Sequence, residues 1–213
     1  KLTEEKDKLV AEENFEKAIA MRSREAELDR KLKILREKNL ALEKENRIVP
    51  GTRVELARGL IGVGMHAGAK PLDLSSPEAF KKAMLAAKSV SYVDPKAGGT
   101  SGTYMAGLFQ KMGIAQEMQK KTVFRNQGSE VADAVAKGEA ELGITFTSEM
   151  ITNKGVKLAG TLPAAIQLPT IYSGAVPAGA PNPDAARAFL QAMKSPAGMA
   201  AMKESGLEPI SGK

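Results

Sequence analysis

The stretch Asp94-Pro95-Lys96-Ala97-Gly98-Gly99-Thr100-Ser101-Gly102-Thr103-Tyr104 decides how the rest of the chain is read. It follows Ser89-Val90-Ser91-Tyr92-Val93, a run of strand character. It leads directly into Tyr104, Leu108 and Met112, which share one face of a helix. A strand that turns on glycines straight into a helix is the repeating unit of an α/β sheet. Outward from it the same unit recurs. Leu60–Met65 reads as an apolar, glycine-bearing strand, and Ser76-Pro77-Glu78 starts a helix with Ser76 as N-cap and Pro77 in the first turn. Thr122–Arg125 reads as a short strand, Gly128–Val135 as a helix closed by Gly138, and Glu141–Phe146 as a strand. Val156–Gly160 follows, Ile171–Val176 reads as a longer strand, and two helices start at Asn182-Pro183-Asp184 and Ser195-Pro196. This alternation predicts a mainly parallel sheet covered by helices, with ligands at the carboxyl ends of the strands.

Three of those strand ends share one chemistry. Ala97–Thr103, Asn126–Ser129 and Thr145–Ser148 are rich in hydroxyls and small residues. The first two open helices, where free backbone N–H groups and the positive dipole end accept an anion without Lys or Arg. Each turn alone reads as ordinary capping. Their repetition at successive strand ends points to a small anionic or polar ligand, with Thr100, Ser101, Gly102, Gly128, Ser129, Thr145 and Thr147 as the candidate contacts.

Composition divides the chain abruptly near Arg47–Pro50. Residues 1–47 hold 13 basic and 12 acidic side chains and neither Gly nor Pro, whereas all 20 Gly and all 11 Pro fall beyond. The first segment reads as solvated helix, with Met21, Leu28, Leu35 and Leu42 at heptad spacing and Leu32, Asn39 and Asn46 as the second row of a coiled-coil seam. The net charge of +6 is spread as +1 and +5 over the two segments, so no basic face suits nucleic acid. Zero Cys and one His exclude disulfide, thiol and Cys-based zinc chemistry. No run of 18 apolar residues exists to span a membrane. No catalytic motif stands out, so a non-enzymatic protein without cofactor or metal is expected. No signal-peptide pattern precedes the fold.

Leu9–Arg22, with the core Asn14-Phe15-Glu16-Lys17-Ala18 followed by Arg22, resembles the UVR motif, a short helical hairpin of excision-repair subunits and some Clp-type ATPases. That resemblance implies a protein–protein contact. From Ile48 to Ser211 the chain resembles the periplasmic molybdate-binding proteins of ABC importers, within the extracellular solute-binding proteins. The likeness is carried by Val49–Arg58, Gly62–Met65, Pro77–Lys82, Asp94–Tyr104, Lys137–Ile144 and Ser195-Pro196-Ala197. It implies an α/β fold of the periplasmic-binding-protein type: an incomplete two-lobed clamshell, preceded by the helical hairpin or coiled coil of residues 1–47. The second lobe is expected at about 88–165, with a partial first lobe from 48–87 and 166–213, and most of the first lobe absent. It further implies a small oxyanion such as molybdate as ligand, a membrane ABC permease as partner, and a periplasmic or cell-envelope location, with a cytoplasmic one left open. Ser101 with the Gly102 amide, and the Gly128 amide, match contacts of the family. Phe146 stands where the family places a Tyr hydroxyl, a loss that Thr145 or Thr147 is expected to offset. The other reading kept open is an interaction module in which the helical segment, through a partner helix or self-association, carries the function.

Overall fold

The computed structural model describes Leu42 and residues 45–211, and these fall into two compact units, Leu42 and 45–52 with 175–183, and 53–174 with 184–211. The hairpin and coiled-coil expectations for 1–47 lie outside the described residues, apart from Leu42, which is exposed, and residues 45–47, where Asn46, expected in the seam, instead lies in a turn with φ of 50°. In the first unit, Ile48 bridges Pro177, and the Val49 amide donates to the Val176 carbonyl at 2.8 Å. The Thr52 hydroxyl closes this corner, donating to the Val49 carbonyl at 2.6 Å and accepting from the Val176 amide at 3.1 Å.

The second unit contains two sheets. The smaller has the order β7-β1-β8, from strands β1 (Val54–Gly59), β7 (Thr170–Gly174) and β8 (Glu208–Pro209), all antiparallel. The larger has the order β4-β3-β5-β2-β6, from β2 (Ile61–His66), β3 (Val90–Val93), β4 (Thr122–Arg125), β5 (Leu142–Phe146) and β6 (Val156–Thr161). Helices α1 (Pro77–Ala86), α2 (Thr100–Lys111), α3 (Ala115–Gln119), α4 (Gly128–Ala136) and α5 (Thr147–Met150) connect the larger sheet, and α6 (Pro183–Lys194) and α7 (Pro196–Glu204) follow β7.

The expectation of a mainly parallel sheet is corrected. β3, β4 and β5 are parallel, but β2 runs antiparallel to both of its neighbours. The strand near 60–66, read from sequence as a remnant of the first lobe, belongs instead to this larger sheet. The reason is the crossing at Leu60: the chain leaves β1 and enters the larger sheet opposite the end of β5, with Ile61 beside Phe146, so it must run backwards along β5.

Alternation along the strands builds two faces. Ile61, Val63 and Met65 join Val90, Tyr92, Leu142, Ile144 and Phe146 against Phe80 and Met84 of α1, Met105, Leu108 and Phe109 of α2, and Met118 of α3. The intervening glycines of β2 admit the opposite layer. A Cβ on Gly62 would stand 2.8 Å from Thr147 Cγ2, and one on Gly64 2.5 Å from Met150 Sδ. Val131, Ala132, Ala134 and Val135 of α4 are buried on that side. α1 begins as its sequence dictates, with the Ser76 hydroxyl accepting from the Ala79 amide at 3.0 Å. Its carboxyl end is capped from afar, because the Lys121 ammonium donates to the Met84, Leu85 and Ala87 carbonyls at 2.8, 2.8 and 2.7 Å.

Candidate functional site

The parallel strands β4, β3 and β5 end together, with Val93 opposite Arg125 and Tyr92 opposite Ile144. A helix starts just beyond each end. α2, after β3, packs with the first face of the sheet, and α4, after β4, with the second. Connections that leave neighbouring strands toward opposite faces open a crevice between them. At its first edge Asp94 knots the turn, its amide donating to the Arg125 carbonyl at 2.7 Å and its carboxylate accepting from the Lys96 amide at 2.9 Å.

α2 then begins with Gly99 at the N-cap, where no side chain supplies a capping oxygen. The first intrahelical bond is Thr103 N–H to Gly99 C=O at 3.1 Å, so the Thr100, Ser101 and Gly102 amides lack intrahelical acceptors. Ser101 is 3% exposed, and its hydroxyl makes no side-chain hydrogen bond among the described residues, so its oxygen is the part of the residue that reaches solvent. Gly102 sets how closely this turn approaches the sheet: a Cβ there would stand 2.1 Å from the Val93 carbonyl oxygen.

The second edge is the start of α4. Gln127 is its N-cap, again without a side-chain cap, and Gly128 is its first residue. The space a side chain on Gly128 would fill holds the carboxylate of Glu149, since a Cβ built there would stand 1.9 Å from Oε2 and 2.5 Å from Oε1. Glu149 reaches back from α5 over its own N-terminus. Its Oε2 accepts from the buried Thr145 hydroxyl and, at 3.3 Å, from the Phe146 amide. Its Oε1 accepts no hydrogen bond, and the carboxylate enters no ion pair, among the described residues. Arg125, at the end of β4, is paired with Glu139.

Tyr172 of β7 completes this side. A Cβ on the buried Gly59 would meet Tyr172 Cε2 at 2.8 Å and Phe146 Cδ1 at 3.4 Å, which places the phenol ring and the Phe146 ring around one glycine. Partial burial, and then the nearby Glu149 charge, raise the Tyr172 pKa above its ordinary 10.0.

The candidate residues therefore divide. Ser101 and Gly102 lie at the first edge, with Thr100 exposed one residue before them; Gly128 lies at the second, with Ser129 exposed one residue after it. Thr145 and Thr147 were expected to offset the missing phenol of Phe146. Instead the Thr145 hydroxyl is held by Glu149, and the Thr147 hydroxyl donates to the Gly206 carbonyl at 2.6 Å. Phe146 is 8% exposed and belongs to the core. Sequence reasoning missed Glu149 and Tyr172. The signal for Glu149 was its spacing: as the third residue of a short helix it returns to the strand end that precedes it. Tyr172 carried no local signal, because its proximity depends on the pairing of β7 with β1.

The chain belongs to the bacterial extracellular solute-binding protein family, whose profile matches residues 36–208. It is 34% identical over 164 residues, 76% of this chain and 61% of the relative, to an aconitate isomerase from Pseudomonas sp. The chain thus spans less than two thirds of that relative's length. Its fold is similar to what is described as the substrate-binding domain of a molybdenum ABC transporter from Clostridium difficile, with a TM-score of 0.67, 20% identity and coverage of 82% of this chain and 73% of the other. It is also similar to the periplasmic molybdate-binding protein of Azotobacter vinelandii, with a TM-score of 0.58, 19% identity and coverage of 81% and 74%. The expectation of a non-enzymatic protein is overturned by the first of these relatives, which is named as an enzyme.

Proposed function

Because the chain belongs to this family, we propose that it binds a small anion, an oxyanion or a carboxylate, in the crevice at the ends of β3, β4 and β5, as the binding component that serves an ABC permease at the cell envelope. Ser101 Oγ and the first-turn amides of α2 and α4 are the donors. The observation that carries this reading is the Ser101 hydroxyl: in a residue only 3% exposed, on the first turn of a helix that has no side-chain cap, it makes no side-chain hydrogen bond among the described residues and its oxygen still reaches solvent. A hydroxyl enclosed on most sides yet open at its oxygen is placed to donate to a ligand that enters there. A bound anion would supply an acceptor in place of water both to it and to the adjacent amides.

The test is calorimetric titration of the full chain with molybdate, tungstate, sulfate, phosphate and the two aconitate isomers. Binding of at least one is expected, and Ser101→Ala should weaken it by about 1–2 kcal/mol, roughly 5- to 30-fold. No binding by any of them, or an affinity unmoved by the substitution, refutes the proposal.

A second reading, action on an unsaturated tricarboxylate, is favoured by the aconitate isomerase relative. Moving a double bond within such a substrate requires a group that removes a proton beside it and returns it elsewhere. Glu149 Oε1 is the unencumbered carboxylate oxygen at the crevice. Proton NMR of cis-aconitate incubated with the full chain would show the trans isomer growing in. A spectrum identical to that of the enzyme-free control rejects this second reading.

A further inference from the structure

We infer that Glu149 decides which anions the crevice accepts, favouring those that still carry a proton on an oxygen and disfavouring fully deprotonated ones. This rests on the anion-binding reading above and names its ligand class. Three observations combine. The Glu149 carboxylate stands against Gly128, the first residue of α4 and one of the two uncapped helix starts. Its Oε2 is fixed by Thr145 Oγ1 and the Phe146 amide, and Thr145 is 0% exposed, so swinging the carboxylate away would strand a buried hydroxyl. Its Oε1 is unoccupied, and no cation among the described residues neutralises it.

A ligand lodged between the two helix starts therefore meets donors on one side and a fixed acceptor on the other. A ligand O–H can donate to Oε1 in a charge-assisted hydrogen bond. A ligand with only anionic oxygens meets Oε1 as a like charge, and repulsion replaces the bond. Donor amides alone would bind both kinds of anion.

Sulfate and phosphate separate these cases, being tetrahedral anions of similar size of which only phosphate is protonated near neutral pH. The experiment is calorimetric titration of the full chain with each, in wild type, Glu149→Gln and Ser101→Ala. Wild type should prefer phosphate by about tenfold or more. Glu149→Gln, which removes the charge and keeps the shape, should narrow that preference to within roughly threefold, chiefly by strengthening sulfate binding. Ser101→Ala should weaken both anions and leave their ratio unchanged. Equal affinities in wild type, or a ratio unmoved in Glu149→Gln, overturn the selectivity while leaving anion binding intact. If neither anion binds, this selectivity falls, and if the aconitates also fail to bind, the anion-binding reading falls with it. Should Glu149→Gln not fold, as judged by circular dichroism, the wild-type preference alone decides.

Discussion

Two glycines of α2, five residues apart, should respond to alanine with opposite signs. At Gly102 the new methyl would lie 2.1 Å from the Val93 carbonyl oxygen and 2.8 Å from its carbon. Both are backbone atoms of a strand in the middle of the sheet, so no rotamer change relieves the clash. The helix must retreat by about an ångström, and Met105, Leu108 and Phe109, each no more than 6% exposed, retreat with it. Overpacking of this kind costs about 1–3 kcal/mol, and the gain of alanine over glycine in a helix recovers less than about 1 kcal/mol. A net loss of about 2 kcal/mol is expected, or a melting temperature lower by roughly 4–8 °C for a protein of this size. At Gly107 a Cβ meets nothing within 4 Å, so only the propensity gain remains. Gly107→Ala should stabilise by about 0.5–1 kcal/mol. Urea and thermal denaturation followed by circular dichroism measure both. Because Gly102 also holds Ser101 against the end of β3, its alanine variant should lose anion affinity as well as stability. A neutral or stabilised Gly102→Ala would refute the claim that this glycine fixes the approach of α2 to the sheet.

Three further outcomes follow from single contacts. Lys121→Met keeps the alkyl stem but removes the ammonium from three carbonyls at the end of α1, and should cost about 1–2 kcal/mol in urea denaturation; an unchanged midpoint would count against it. Gln167→Leu leaves the amide of the fully buried Ile61 without its acceptor at 3.0 Å, whereas the Ile61 carbonyl keeps the Leu162 amide, so about 1–3 kcal/mol should be lost; a loss below half of the lower figure would mean that water replaces the side chain. Glu149→Gln should lower the Tyr172 pKa toward its ordinary 10.0 by removing one of the two effects that raise it, leaving burial as the other. Phenolate absorbance against pH, compared with a Tyr172→Phe control, isolates that residue, and a Tyr172 transition that does not move would place Glu149 too far away to matter.

What the sequence made legible was local. Gly99-Thr100-Ser101-Gly102 announces a helix start because glycine and small hydroxyl residues favour that position, although here no side chain caps the helix. Ser76-Pro77 and Ser195-Pro196 do the same; Ser76 caps as read, and Ser195, read only as a helix start, caps as well. Leu142–Phe146 is buried at every position and forms the central strand, as a continuous apolar run suggests. β1 escaped notice as a strand because Glu55 and Arg58 are exposed and give it no apolar run. The direction of β2 was illegible for a different reason. Strand pairing is a choice between distant partners, and Gly62-Val63-Gly64 reads the same in either direction.

The direction of β2 bears on the site itself. Running backwards along β5, β2 begins where β5 ends, so the crossing from the smaller sheet arrives at the edge that carries Thr145, Phe146 and Glu149. Gln167, on the return crossing, pairs with both the amide and the carbonyl of Ile61 as a neighbouring strand would. The Tyr104 hydroxyl of α2 donates at 2.7 Å to Ile166, one residue before. The helix that bears Ser101 and the two chain crossings are thereby tied to one another within a few residues of the crevice. Gly59 lies at the last position of β1, with Tyr172 and Phe146 against it, so a displacement of the smaller sheet would move the phenol ring relative to Glu149. Neither a three-letter motif nor a periodicity encodes this. It follows from where a reversed strand must enter, and it explains why Tyr172 was found beside Glu149 only once the strands were paired.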